Sequence, residues 1–177
     1  SMDARTERGD FNKDGDGKAC PTILELAKKA GKSIGVVSTT RITHATPAAC
    51  YAHINERNLE NDIALQALPG SKLYNKALGK GIDLIAGGGR RFFVPSGVMD
   101  EEGDKGRRSD NKDLRQEFQK QGYKYVWNRG QWNALRPQDM PVLALFESSH
   151  MEYEYDPDRA REFLEESRSQ AGRRSKA

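Results

Sequence analysis

The sequence predicts a three-layer α/β fold with a largely parallel central sheet. Three observations carry this. Short apolar runs at "SIGVVST" (Ser33 to Thr39), "IDLIAGGG" (Ile82 to Gly89) and "PVLALF" (Pro141 to Phe146) read as buried strands. Segments of helical patterning separate them, which is the alternation of a parallel sheet with crossover helices. There is no internal repeat to suggest a solenoid or propeller instead.

The elements follow in order. Residues 1–19 are polar and glycine-rich and read as loop. Within them, "NKDGDGK" (Asn12 to Lys18) resembles the start of a calcium loop. The twelfth position of that loop must be Glu and here is Ile23, so the stretch reads as a solvated Asp/Gly turn. A helix is predicted next, with Pro21 at its first position. Ile23, Leu24, Leu26 and Ala27 make its apolar face, Lys28 and Lys29 complement its dipole, and Gly31 stops it. The first strand leads into Thr46-Pro47, which predicts a second helix with Thr46 as N-cap, Pro47 at N1 and His53 inside it. "DIALQAL" (Asp62 to Leu68) predicts a third helix.

The second strand ends in the triple-glycine turn Gly87-Gly88-Gly89. Ser96 to Asp113 is charged and glycine-rich, a long excursion or a mobile loop. "NKDLRQEFQKQGYKYVWN" then predicts a helix ending near Gln121-Gly122, followed by a short strand. The tail from Asp156 to Ala177 is charged and has no strand signal. Arg159 to Arg168 can form a helix anchored only by Phe163 and Leu164, and the last nine residues read as disordered.

Composition limits the function. A chain of 177 residues forms one domain with a real core. Its charged fraction of 31% is high, but a net charge of only +3 means that both signs share the surface. The basic clusters are short: Arg90-Arg91, Lys105 to Arg108, and Arg173-Arg174-Lys176. That pattern argues against a nucleic-acid footprint. No apolar window is long enough for a membrane helix, and the first residues lack a signal-peptide core. Cys20 and Cys50 fit no zinc spacing. They form either a single bridge or two idle thiols.

In an open α/β sheet, ligands bind at the carboxyl ends of the strands. The residues after the first strand are therefore the candidates. Thr46 reads either as a cap or as a hard oxygen ligand for magnesium. His44 reads either as a metal ligand, an orienter of metal-bound water, or a plain loop histidine. Arg57 reads either as a phosphate clamp or as a surface arginine. The Gly87-Gly88-Gly89-Arg90 turn lacks the GK-Ser/Thr ending of a P-loop and reads as a tight strand exit.

These residues also carry a family resemblance. "CPTILELAKKAGKSIGVVSTTRITHATPAACYAHINER" resembles a segment of the alkaline phosphatases, in its helix, its G-x-V-S-T strand end, its H-A-T-P-A motif and its A-H-x-x-x-R spacing. "GIDLIAGGGRRFF", "PVLALFESSHMEYE" and "SMDARTERGDFN" resemble further segments, in the family's order. The resemblance covers roughly residues 1–155. The tail 156–177 does not continue it.

What the resemblance implies is an α/β metalloenzyme of two zinc ions and one magnesium, hydrolysing phosphate monoesters through a phosphoserine. Thr46 matches the hydroxyl ligand of the magnesium site, His44 a position beside that metal, and Arg57 the arginine that grips the substrate phosphate. The family's nucleophilic serine precedes the equivalent of residue 1. Its zinc ligands, and the carboxylate completing the magnesium site, lie mostly beyond the equivalent of Tyr155. The resemblance thus implies an interior part of the family domain, incomplete and inactive alone; the alternative is a non-catalytic phosphate- or magnesium-binding fragment. It also implies the family's common homodimer and a periplasmic or extracellular location. It sets one geometric demand. Thr46 and Arg57 are eleven residues apart, about 16 Å along a straight helix, so the helix must break before Arg57, near His53 to Asn55.

Overall fold

Four strands make one sheet in the order β1-β2-β4-β3: β1 Gly35–Arg41, β2 Leu84–Gly88, β3 Lys124–Val126 and β4 Val142–Glu147. Every neighbouring pair is parallel. The structure is a computed structural model and describes residues 18–152. The Asp/Gly turn at 12–17, the family boundary near 155 and the charged tail lie outside the described residues.

The central strands β2 and β4 are apolar on both faces, as parallel strands require. Ile85, Leu143 and Leu145 point into the main core beneath the helices, while Ala86, Val142 and Ala144 form a smaller cluster on the opposite face. Strand β1 departs from expectation. It lies at the sheet edge and alternates: Val36 is buried in the main core, but Val37 is 70% exposed. A β-branched run predicts a strand; it does not say what covers each face.

Helix α1 (Ile23–Lys29) starts two residues later than Pro21 suggested. Its N-cap is Thr22, whose hydroxyl accepts from Glu25 N–H while the Glu25 carboxylate accepts from Thr22 N–H. This reciprocal cap contributes about 1 kcal/mol. It also turns Glu25 inward, so the buried face holds Glu25 with Leu24 and Ala27 packed alongside. Ile23 and Leu26, expected on the apolar face, are 71% and 54% exposed. Gly31 follows at φ +72, the left-handed turn that ends a helix.

Helix α2 is a single turn, Ala45–Ala48, and corrects the capping prediction. Its N-cap is His44, Thr46 is at the second position and Pro47 at the third. Proline is tolerated there because the amides of a first turn have no intrahelical partner to lose. Helix α3 (Glu60–Ala67) and α4 (Leu114–Lys120) match their predicted segments, α4 ending at Gln121 before Gly122 at φ +88. A short helix α5 (Arg129–Asn133), capped by Asn128, was not predicted.

The excursion from 96 to 113 is fixed by its own bonds. Ser96 N–H donates to Arg108 C=O and Gly106 N–H to Val98 C=O. Arg108 is fully buried, paired with Asp110 at 2.5 Å and bonded to the carbonyls of Asn61 and Phe92. Both cysteines are free thiols.

Candidate functional site

Because the sheet is parallel, the carboxyl ends of β1, β2 and β4 meet at one edge. Arg41 is in register with Gly88, and Gly88 with Glu147. The glycines allow this approach. A Cβ on Gly88 would sit 2.1 Å from Ser149 O, and one on Gly87 2.5 Å from Ser38 O. Gly89 N–H donates to the carbonyls of Glu147 and Ser149. That amide is spent inside the fold, which bears out a tight strand exit in place of a phosphate cradle.

Past β1 the chain turns sharply. Tyr51 Oη donates to Ile42 C=O at 3.0 Å and holds the turn after α2. Gln66 on α3 then clamps the backbone of His53 from both sides, accepting from its N–H at 2.8 Å and donating to its C=O at 2.9 Å. His53 therefore stands outside any helix. Its ring pairs with Glu25 at 2.6 Å, and Asn75 donates to the same carboxylate. This clamp reverses the chain, and Arg57 returns to the start of α2. Its Nη2 lies 3.0 Å from His44 Nε2. The helix break demanded by the spacing of Thr46 and Arg57 is present, earlier than His53. Thr46 itself is exposed on α2.

The same edge gathers residues that the spacing did not single out. His150, in the loop after β4, lies edge-on to His44 with ring centroids 5.1 Å apart. That loop is seated by Met151 N–H donating to Thr39 C=O at 2.8 Å. The Arg41 guanidinium approaches His150 Nε2 at 2.5 Å and makes a two-point pair with Glu60, Nε to Oε2 at 2.9 Å and Nη2 to Oε1 at 2.8 Å. Thr43 Oγ1 donates to Glu60 Oε2 at 2.5 Å. No sequence signal links Arg41 to His150 across 109 residues.

The electrostatics of this edge are positive. Burial holds the His44 imidazole below the usual histidine range, and the guanidiniums of Arg41 and Arg57 push it further. Burial and Arg41 act on His150 in the same direction. Both rings are therefore held neutral. A guanidinium only donates, so His44 accepts through Nε2 and carries its proton on Nδ1. That Nδ1 is buried without a hydrogen-bond partner.

Such an edge fits an anion better than a metal ion. Among the described residues no group of three or more His, Cys, Asp or Glu is placed to hold a metal ion. Magnesium takes oxygen ligands, normally with carboxylates among them. Here the near carboxylate, Glu60, is committed to Arg41 and Thr43, and His44 Nε2 faces a cation. Thr46 and His44 do not make a cation site unaided.

The comparisons with known proteins agree with one another. The family model described as alkaline phosphatase matches residues 3–171. The membrane-bound alkaline phosphatase of Bombyx mori is 39% identical over 162 residues, covering 82% of this chain and 29% of that protein. The human tissue-nonspecific alkaline phosphatase is 38% identical over 173 residues, covering 86% and 32%. The crystal structure of Thermus thermophilus alkaline phosphatase superposes with a TM-score of 0.67 at 33% identity, over 84% of this chain and 27% of that one. A variant of the alkaline phosphatase from the Antarctic bacterium TAB5 shares the fold, at a TM-score of 0.61 and 24% identity over 83% of this chain and 36% of that one, and its own structure carries magnesium in a site called M3. No helix among the described residues is long and apolar enough to cross a membrane. On these matches the chain belongs to the alkaline phosphatase family, and it spans between 29% and 32% of the length of the two curated relatives named here.

Proposed function

We propose that this chain carries the phosphate-gripping corner of an alkaline phosphatase, a family that hydrolyses phosphate monoesters by a metal-assisted phosphoserine route. The supporting observation is the return of Arg57 to His44 at the carboxyl edge of a parallel sheet. Arg57 presents a planar fork of donors to a phosphoryl group whose charge is spread over its oxygens. His44 fixes that fork by accepting one of its N–H groups. Thr46 and His44 are this chain's contribution to the magnesium side, completed by carboxylates that the described residues do not supply. When bound, magnesium would supply charge neutralisation next to the phosphate. The zinc ligands and the nucleophilic serine belong to other parts of a family-length protein. Their location would be the periplasm or the extracellular space, and a homodimer their assembly.

On this reading the polypeptide alone turns over little or no substrate. The nucleophile and the two-metal clamp carry most of the rate in such a mechanism. An assay of the purified chain with p-nitrophenyl phosphate, zinc and magnesium tests it. Metal-dependent turnover that is lost in Arg57→Ala would refute inactivity.

The positive edge supports a second reading, a non-catalytic phosphate- or magnesium-binding fragment. Calorimetric titration separates its two forms. Phosphate binding without magnesium favours the anion, and binding that requires magnesium favours the metal.

A further inference from the structure

Two of the short basic clusters, Arg90-Arg91 and Lys105 to Arg108, are brought together by the fold. Arg107 N–H donates to Arg91 C=O at 2.7 Å. Each cluster is split between two tasks. Arg90 and Arg108 are 0% exposed and each meets carboxylates: Asp100, Glu101 and Glu102 around Arg90, Asp110 around Arg108. Arg41 and Arg115 are likewise paired, with Glu60 and with Asp113 and Glu101. Arg91 and Arg107 have no carboxylate within ion-pair distance among the described residues, and Arg91 Nε is buried without a hydrogen-bond partner. Where a guanidinium serves the fold, this chain gives it a carboxylate. Among the described residues it gives none to Arg91, Arg107 or Arg57, nor to Arg129 and Arg136 on the far side of β4.

Arg91 and Arg57 are connected by a series of side-chain contacts. The Arg91 and Arg41 guanidiniums lie 5.2 and 5.8 Å from the centroid of the same ring, Phe92. Arg41 meets His150, His150 meets His44, and His44 meets Arg57. We propose that Arg91 and Arg107 form a second anion subsite on the same edge as Arg57, which takes a second phosphoryl or similarly charged group carried by the same ligand. The inference rests on Arg57 as the phosphate grip, and it names a substrate class: phosphate esters with a further anionic group.

The charge balance supports the subsite. Burial, then the Arg107 and Arg41 cations, press the Arg91 guanidinium below its ordinary range, with Glu60 and Asp104 as the opposing carboxylates. An arginine cannot shed its proton. The strain is relieved by an incoming anion, which a planar fork binds through charge-assisted bonds.

The test is calorimetric titration of the full chain with orthophosphate and with tripolyphosphate, at low ionic strength and without added metal. The variants are Arg107→Ala, Arg57→Ala and Lys32→Ala, with melting temperatures as the folding control. Arg107 and Lys32 are both exposed, so neither change threatens the fold. The expected result is tripolyphosphate binding at least about tenfold tighter than orthophosphate. Arg107→Ala should bring that advantage to within about twofold, while Lys32→Ala keeps it. An advantage absent from the parent chain, untouched by Arg107→Ala, or lost equally in Lys32→Ala overturns the subsite. A tripolyphosphate advantage that depends on Arg107 while orthophosphate ignores Arg57→Ala keeps the subsite and refutes the Arg57 grip instead.

Discussion

Arg57 Nη2 stands 3.0 Å from His44 Nε2, thirteen residues back along the chain. A one-turn helix and the clamp of Gln66 on His53 make that approach possible. The contact fixes more than position. It makes His44 an acceptor at Nε2, and so places its proton on Nδ1. Nitrogen-detected NMR at neutral pH should find His44 neutral with Nδ1 protonated. A protonated Nε2 would mean that Arg57 does not donate to it.

The carboxylate of Glu25 ties α1 to the segment that positions Arg57. It accepts from His53 at 2.6 Å, from Asn75 at 2.5 Å and from Thr22 N–H at 2.8 Å. Burial alone would raise its pKa, but these bonds outweigh it, and the net shift is below the ordinary value of 4.5. A depressed carboxylate contributes stability above its unfolded pKa and loses it as pH falls through the folded one. Glu25→Gln should therefore destabilise the chain by about 1–3 kcal/mol at neutral pH. The gap between parent and variant should narrow as pH falls below 4.5. Urea unfolding at several pH values measures it, and a gap that widens on acidification would contradict the network.

Arg90 is wholly buried, 3.5 Å from Asp100, in contact with Glu102 and bonded to Phe146 C=O at 3.0 Å. It anchors the 96–113 excursion to the end of β4. Removing one member of a buried pair strands the other charge. Arg90→Met should cost about 3–5 kcal/mol, and adding Asp100→Leu should recover part of that loss. Fully additive losses in denaturant unfolding would show that the two charges are not coupled.

The glycines at the strand exits give a graded series. A Cβ at Gly88 meets backbone at 2.1 Å, whereas one at Gly35 meets Leu84 at 3.4 Å. Gly88→Ala should cost about 1–3 kcal/mol or more by overpacking and displace the Ser149–His150 loop. Gly35→Ala should cost less. Thermal unfolding of the pair checks the order, and equal losses would contradict this packing.

The parts of the fold that were legible in the sequence are those written in local pattern. Strands β2 and β4 are continuous apolar runs, and α3 and α4 fall on their predicted segments, so the parallel α/β class followed. Local signals misled where two compete. Thr46-Pro47 has the preferred residues of a helix start, yet His44 opens α2, because a proline loses nothing anywhere in a first turn. Ile23 and Leu26 mark an apolar face that the Thr22–Glu25 cap turns outward. His44, Thr46 and Arg57 were singled out as candidates by their place after the first strand and by the family resemblance. Arg41, Glu60 and His150 were not, because contacts between β1, α3 and the loop after β4 depend on strand order, which no local pattern encodes.

The most direct measurement of the central claim is the affinity of the chain for inorganic phosphate before and after Arg57→Ala, by calorimetry, with the melting temperature recorded alongside. A charge-assisted grip is worth about 1.5–3 kcal/mol, so the substitution should weaken phosphate binding by about tenfold or more and leave the melting temperature nearly unchanged. Equal phosphate affinity in a folded Arg57→Ala chain would contradict the assignment of this corner.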